Sequence, residues 1–112
     1  MQLIRYAGWP VALAGTDGVV FHPALLDLAE RDEARPLVRF TCAMALHAFE
    51  VDTGLEERPF EQLRAERFAR ELLMPGELFR ANAEETDAEL AERFGVPVEQ
   101  VPARRFELAA LP

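Results

Sequence analysis

The feature that most constrains the fold is the stretch from Leu37 to Phe49, where apolar residues occur on every side of a helix. The apolar positions are Leu37, Phe40, Ala43, Met44, Leu46, Ala48 and Phe49. A helix that is apolar around its whole circumference needs other elements to cover it. Pro36 precedes this stretch, and Asp52-Thr53-Gly54 is a sequence that ends helices. In a single domain of 112 residues, these residues predict a central, largely buried helix.

The segment before this helix predicts a small antiparallel sheet. Two β-prone runs, Val11 to Ala14 and Val19 to His22, flank the pair Asp17-Gly18. This pair suits the positive φ angles of a tight hairpin turn. Leu3 to Tyr6 can add a third strand, and Pro23 favours the first turn of a short helix. We therefore expect a hairpin or a three-stranded sheet with one face on the central helix.

Three to four further helices are predicted beside the central one. Phe60 to Met74 repeats apolar residues at helical spacing. The residues expected to face inward are Leu63, Phe68, Leu72 and Leu73. Thr86 and Glu89 form a capping box for a helix that Gly95 can end in the left-handed conformation. We expect Pro102 to interrupt or restart the helical segment that follows.

The predicted fold class is therefore α+β, in one domain over residues 1–112. Its parts are a β-hairpin region at 1–22, central helices at 23–85 and a C-terminal helical pair at 86–112. No apolar run reaches the roughly 18 residues that a membrane span requires, and the N-terminus does not resemble a signal peptide. Because Cys42 is the single cysteine, no internal disulfide can form. We expect a cytoplasmic protein with no membrane partner.

The net charge limits the classes of partner that the protein is expected to bind. Twenty acidic and twelve basic residues give a net charge of −8, which repels phosphate backbones and disfavours nucleic acid. All basic residues are arginine, as in GC-rich or thermophilic sources. The segment ELAERFGVPVEQVPARR, residues 89–105, can form a helix-turn-helix with Arg104 and Arg105 toward DNA. Acidic residues and Pro102 in this segment oppose that hypothesis, and a small DNA-associated regulator is kept as an alternative.

Three segments resemble motifs of the ImmA/IrrE zinc metallopeptidases, a gluzincin-like family. They are RFTCAMALH at 39–47, FARELLMPGELF at 68–79 and LAERFGVPVEQVPARR at 90–105. The family typically has RFTLAHELGH, then FA-x-x-LLMP, then LA-x-x-F-x-VS, in the same order. The resemblance covers most of the chain from Val19 onward and implies a minimal metallopeptidase-like core.

The resemblance also identifies the positions at which the chemistry of the family would lie. The family's HExxH places two zinc-binding histidines one turn apart, with a glutamate that activates the metal-bound water. Aligning the motifs puts Met44 at the first histidine, Ala45 at the glutamate and Ala48 at the second histidine. The third, acidic ligand corresponds to Gln62 or Arg64. We therefore expect a degenerate member of the family, with no catalytic residue and no zinc cofactor.

One histidine does occur on this helix, but at a different position. His47 aligns with the family's glycine, and a shift of one residue rotates a helical side chain by about 100°. His47 and Glu50 could share a helix face, with His22 nearby, so they are the candidates for a rebuilt zinc site. The simpler hypothesis is a partly exposed histidine at a helix end beside a carboxylate. An active zinc peptidase with relocated ligands is the other alternative.

The resemblance also implies a function for a family member that lacks the zinc ligands and the general base. Active members of the family cleave repressor-type transcription factors. We expect an inactive relative that binds a protein partner, with a repressor as one candidate, in a regulatory role in a bacterium or phage. A homodimer is left open. Because Met44 and two alanines replace polar ligands, we expect the former cleft to close into a dry core.

Overall fold

The computed structural model describes residues 1–110. Its strands are β1 Gln2–Tyr6, β2 Trp9–Gly15 and β3 Gly18–Phe21. Its helices are α1 Pro23–Ala29, α2 Arg35–Asp52, α3 Gln62–Leu73, α4 Gly76–Ala81, α5 Asp87–Phe94 and α6 Gln100–Ala109, with a short 3-10 helix at Asp32–Ala34 before α2. The predicted α+β class is confirmed, and the sheet has three strands.

The strands form one antiparallel sheet in the order β1-β2-β3. At the second hairpin Gly15 pairs with Gly18, so the turn residues are Thr16 and Asp17, one position earlier than predicted. This register keeps Ala12 and Ala14 on the buried side of β2, whereas a slip of one residue would move them to the other face.

Two apolar cores divide the described part of the molecule. The first lies between the sheet, α2 and α3, and its largest fully buried apolar side chains are Ile4, Phe40 and Met44. The second lies under α4, α5 and α6, and its largest fully buried side chains are Met74, Leu90, Val96 and Val101. Leu73, at the end of α3, packs against both cores. α3 is therefore the element that brings the two cores together.

α2 is central, but one of its sides is exposed. It packs most extensively on α3 and β2, and Phe40, Met44 and Ala48 have no exposed surface. On the outer side, Leu46 is 51% exposed and Phe49 is 42% exposed. Within residues 1–110, no element covers this apolar side.

α3 is rotated relative to the prediction. Ala65 and Ala69 are its fully buried residues, whereas Leu63 is 80% exposed and Leu72 is also exposed. The physical reason is that the distance between two packed helices depends on the side chains at their contact, and alanines allow a close approach to α2. Leu63 and Leu72 therefore lie outside, contrary to the prediction, whereas Phe68 and Leu73 are half-buried, as part of the predicted inward side.

The next feature is how the C-terminal helices α5 and α6 begin and end. Thr86 and Glu89 form the predicted capping box, with both hydrogen bonds at 3.1 Å, and Gly95 ends α5 with φ of 65°. Pro102 does not interrupt α6, because it is the third residue of the helix, where a backbone N–H has no intrahelical partner. None of the described helices has the length and apolar character needed to cross a lipid bilayer.

Candidate functional site

The positions that match the family's HExxH motif lie on the buried side of α2. Met44 and Ala48, one turn apart, are fully buried in the first core, and Ala45 is nearly so. Zinc sites in proteins are built from thiolate, imidazole and carboxylate groups. Met44 offers a neutral thioether sulfur, and the two alanines offer no donor atom. The burial of all three residues supports the expectation of a closed core.

Gln62 fills the space beside Met44. Its Oε1 accepts the backbone N–H of Arg5 at 2.9 Å, and its Nε2 donates to the carbonyl of Arg5 at 2.6 Å. The same Nε2 lies 3.6 Å from the sulfur of Met44. Arg5 is in the edge strand β1, and backbone groups on the open side of an edge strand need partners from outside the sheet. The Gln62 amide therefore connects β1, α3 and α2 at this point.

Arg64 is at the other position given for the third ligand, and its side chain has a different partner. Arg64 forms an ion pair with Glu61 at 3.7 Å and is partly exposed. Neither Gln62 nor Arg64 brings a carboxylate to Met44. The residues at the matched positions therefore do not fit the zinc site that the resemblance implies.

His47 is buried, and the expectation of a partly exposed histidine was wrong. The residue is 3% exposed, and the ring lies 6.0 Å from Phe60 and 5.4 Å from Phe68, measured between ring centroids. Phe68 is on α3, which packs over this side of α2 and removes the histidine from solvent. Neither ring nitrogen has a hydrogen-bond partner among the described residues, and Nδ1 is 3.9 Å from an oxygen of Glu50. His47 is thus packed mainly by aromatic rings.

The structure brings His47 and Glu50 together, but His22 has a separate role. Its Nδ1 accepts the backbone N–H of Ala24 at 3.0 Å and caps the N-terminus of α1. In the part of the chain that the structure describes, no three or more His, Cys, Asp or Glu side chains are grouped so that they could hold a metal ion.

A polar network that the sequence did not predict connects the two cores. The hydroxyl of Tyr6 donates to the carboxylate of Glu99, and the amide of Gln100 donates to the Tyr6 oxygen at 3.2 Å. Arg70 donates to Gln100 at 3.1 Å and to both oxygens of Glu107 at 3.1 and 3.0 Å. Burial raises the pKa of Tyr6 well above its usual range, and Glu99 adds to this increase. The hydrogen bond from Tyr6 to Glu99 therefore depends on a protonated Tyr6.

Arg104 and Arg105, which the helix-turn-helix hypothesis places toward DNA, form hydrogen bonds within the protein. Arg104 is buried, and its Nε donates to the carbonyl of Met74 at 3.0 Å. Arg105 donates to Asp87 at 2.9 Å and also to two backbone carbonyls. No local pattern in the sequence indicates these contacts, because their partners lie in other elements.

The family model described as the IrrE N-terminal-like domain, Peptidase_M78, matches residues 20–106. The matched region begins in β3, includes all of α1 to α5 and extends into α6. No curated protein and no solved structure matches the chain.

Proposed function

The chain belongs to the IrrE N-terminal-like domain family, and we propose that it is a member without peptidase activity that acts as a protein-binding or regulatory module. The observation that carries this proposal is the position of Gln62. Its neutral amide bonds to Arg5 and contacts Met44, at one of the two positions that the resemblance gives for the family's acidic zinc ligand. At this position of the metallopeptidase-like scaffold, a neutral amide is bonded to the backbone of β1 and is not an anionic ligand.

The energetics support the absence of a metal at these positions. A divalent cation beside Met44 and Ala48 would lie in an apolar core with no anionic ligand. The penalty for burying an uncompensated ion is several kcal/mol even after the protein relaxes. A cation would also have to displace the hydrogen bonds of Gln62 to Arg5.

The alternative of relocated zinc ligands has less support. His47 and Glu50 supply two groups, and catalytic zinc sites usually have three protein ligands and a water molecule. His22 is engaged as the cap of α1. Ala45 also leaves the position of the family's general base without a carboxylate.

The regulatory part of the proposal comes from the family resemblance. Enzymes of this kind recognise repressor-type transcription factors before they cleave them, so an inactive member can bind such a protein without cleaving it. The net charge of −8 favours a protein partner over nucleic acid. The internal contacts of Arg104 and Arg105 further oppose the DNA-binding alternative.

Metal content is the first test. Untagged protein is equilibrated with zinc, passed through a desalting column and measured by inductively coupled plasma mass spectrometry. We expect substoichiometric zinc, and no zinc-dependent peptidase activity against a repressor of the helix-turn-helix class. Stoichiometric zinc together with chelator-sensitive cleavage would overturn the proposal in favour of an active peptidase.

A variant with the family's residues is the matched control. Met44→His, Ala45→Glu and Ala48→His restore the two histidines and the general base at the aligned positions, and Gln62→Glu adds a carboxylate at one of the two positions given for the third ligand. We expect this variant to bind zinc more tightly than the wild type, and circular dichroism with and without zinc reports whether it folds. The wild-type measurement decides the proposal even if the variant does not fold.

Partner binding is the second test. A purified repressor of the helix-turn-helix class is titrated with the protein and followed by calorimetry, and the mixture is then analysed by mass spectrometry for cleavage. Binding with an intact repressor supports the proposal. Absence of binding contradicts the repressor-interacting role, and binding to random duplex DNA at low salt would favour the DNA-associated alternative.

A further inference from the structure

The outer side of α2 forms the floor of an apolar groove. The β2–β3 turn lies along one side, and the end of α3 lies along the other, enclosing about 630 Å³. We call this the α2 groove. Its larger apolar lining residues are Val19, Cys42, Leu46, Phe49, Leu72 and Leu73. A continuous exposed apolar surface of this kind, rather than single exposed residues, indicates a binding surface.

The α2 groove is distinct from the positions of the lost zinc site. Each residue of an α-helix is rotated by about 100° from the one before, so the stripe of Cys42, Leu46 and Phe49 lies roughly 150° around α2 from Met44 and Ala48. Of the aligned HExxH positions, Ala45 reaches the border of the groove among its described lining residues. Binding in the groove therefore goes beyond the proposed function of the former zinc site.

The charges in the α2 groove are arranged at opposite ends. Arg39 and Asp17 are the charged members of its described lining, and neither forms an ion pair within residues 1–110. Arg39 is in the N-terminal half of α2. Asp17 is in the β2–β3 turn, next to the C-terminal end of α2, because the neighbouring Gly15 packs directly on the carboxylate of Asp52. The groove is thus positive at one end, negative at the other and apolar between them.

We propose that the α2 groove is the interface of a symmetric homodimer in which the two α2 helices lie antiparallel. A two-fold interface places the same surface of both copies face to face. An antiparallel arrangement brings Arg39 of each copy to Asp17 of the other, and the apolar stripes meet in the middle. The surface is therefore complementary to itself in both charge and hydrophobicity.

A second copy fits this groove better than a strongly charged partner does. A strongly acidic or basic partner would match one end of the groove and be repelled by the other end. The net charge of −8 opposes the approach of two copies at long range, but the lining of the groove has no net charge. The interface also explains why α2 is apolar around its whole circumference, although the single chain leaves one side exposed.

Sedimentation velocity over a range of micromolar concentrations tests the proposal. We expect the wild type to dimerise and Leu46→Arg to increase the dissociation constant by about tenfold or more, because a charge would be buried in the apolar stripe. Leu63→Arg is the matched control, since Leu63 is more exposed than Leu46 and lies outside the groove. Circular dichroism verifies that both variants are folded.

Charge reversal tests the antiparallel arrangement. Arg39→Asp and Asp17→Arg are each expected to weaken the dimer, and the double variant is expected to restore it, because the two reversed charges face each other again. A short bismaleimide cross-linker should join two chains through Cys42, which is the single cysteine and lies within the stripe.

Several outcomes would overturn the dimer. They are a wild type that stays monomeric at the highest concentration, a loss of dimer in Leu63→Arg with none in Leu46→Arg, and a double charge reversal that fails to recover association. None of these outcomes concerns zinc binding. They would therefore rule out the dimer without ruling out the proposed absence of peptidase activity.

Discussion

The side-chain amide of Gln62 makes two hydrogen bonds to the backbone of Arg5, which lies 57 residues earlier in the chain. One bond is accepted and the other is donated, so the amide acts as a neighbouring strand would on this edge of β1. The same group contacts Met44 on α2. One of the two positions that the resemblance gives for the third ligand therefore has a structural role in this chain.

Removing the Gln62 amide should destabilise the fold. Gln62→Ala leaves the N–H and carbonyl of Arg5 without their side-chain partner, and we expect the free energy of unfolding to fall by about 1–3 kcal/mol. Urea denaturation followed by circular dichroism measures the change. Arg64→Ala, which removes a partly exposed ion pair, is the control and should cost about 0–1 kcal/mol. Equal losses in the two variants would contradict the role of Gln62.

Replacing His47 with phenylalanine should stabilise the protein or leave its stability unchanged. The imidazole is buried between Phe60 and Phe68, and neither nitrogen has a hydrogen-bond partner among the described residues. An aromatic ring without polar atoms avoids the desolvation of an unsatisfied group, which is about 1–3 kcal/mol. Thermal and urea denaturation give the change. A clear loss of stability in His47→Phe would indicate a polar partner or a metal bound to His47.

Glu107 should be the most sensitive residue of the polar network. Glu107→Ala removes the bidentate partner of Arg70 and the carboxylate that lies 3.6 Å from the buried Arg104. We expect a loss of about 3 kcal/mol, at the lower limit for a buried pair, because Arg70 and Glu107 keep some exposed surface while the buried Arg104 loses a nearby carboxylate. Glu71→Ala disrupts an exposed pair with Arg67 and should cost about 0–1 kcal/mol. Urea denaturation of both variants gives their free energies of unfolding. Equal losses in the two variants would contradict the effect of burial at Glu107.

Cys42 should react slowly with thiol reagents at neutral pH. Cys42 keeps exposed surface, but the partial burial of its thiol raises its pKa, so less thiolate is present at a given pH than in an unperturbed cysteine, whose pKa is about 8.5. The rate of alkylation by iodoacetamide should therefore continue to rise with pH above that value. Leu46→Ala, which opens the surroundings of Cys42 in the α2 groove, should shift the profile toward lower pH. A wild-type profile that levels off below the usual pKa would contradict the effect of burial.

Features that depend on a few neighbouring residues were predicted correctly. The capping box of Thr86 and Glu89 and the left-handed Gly95 follow from chemistry within one or two helical turns. The antiparallel strands follow from β-prone runs separated by turn residues. The family resemblance also came from short contiguous motifs, and the match of the family model to residues 20–106 supports it.

Features that depend on how elements pack were not predicted. Leu63 was expected inside, but α3 packs through Ala65 and Ala69. His47 was expected at a partly exposed helix end, but Phe60 and Phe68 cover it. In both cases the local spacing is compatible with more than one orientation, and the element packed against the residue selects one.

The sequence by itself determined which chemical groups exist on α2. Donor atoms belong to side chains, so Met44, Ala45 and Ala48 cannot supply the imidazoles and carboxylate of HExxH in any fold. Only the tertiary structure decided what fills the space beside them. Gln62 reaches Arg5 and Met44 because β1, α2 and α3 pack together there, and contacts between residues far apart in the chain depend on that packing and not on their spacing in the sequence.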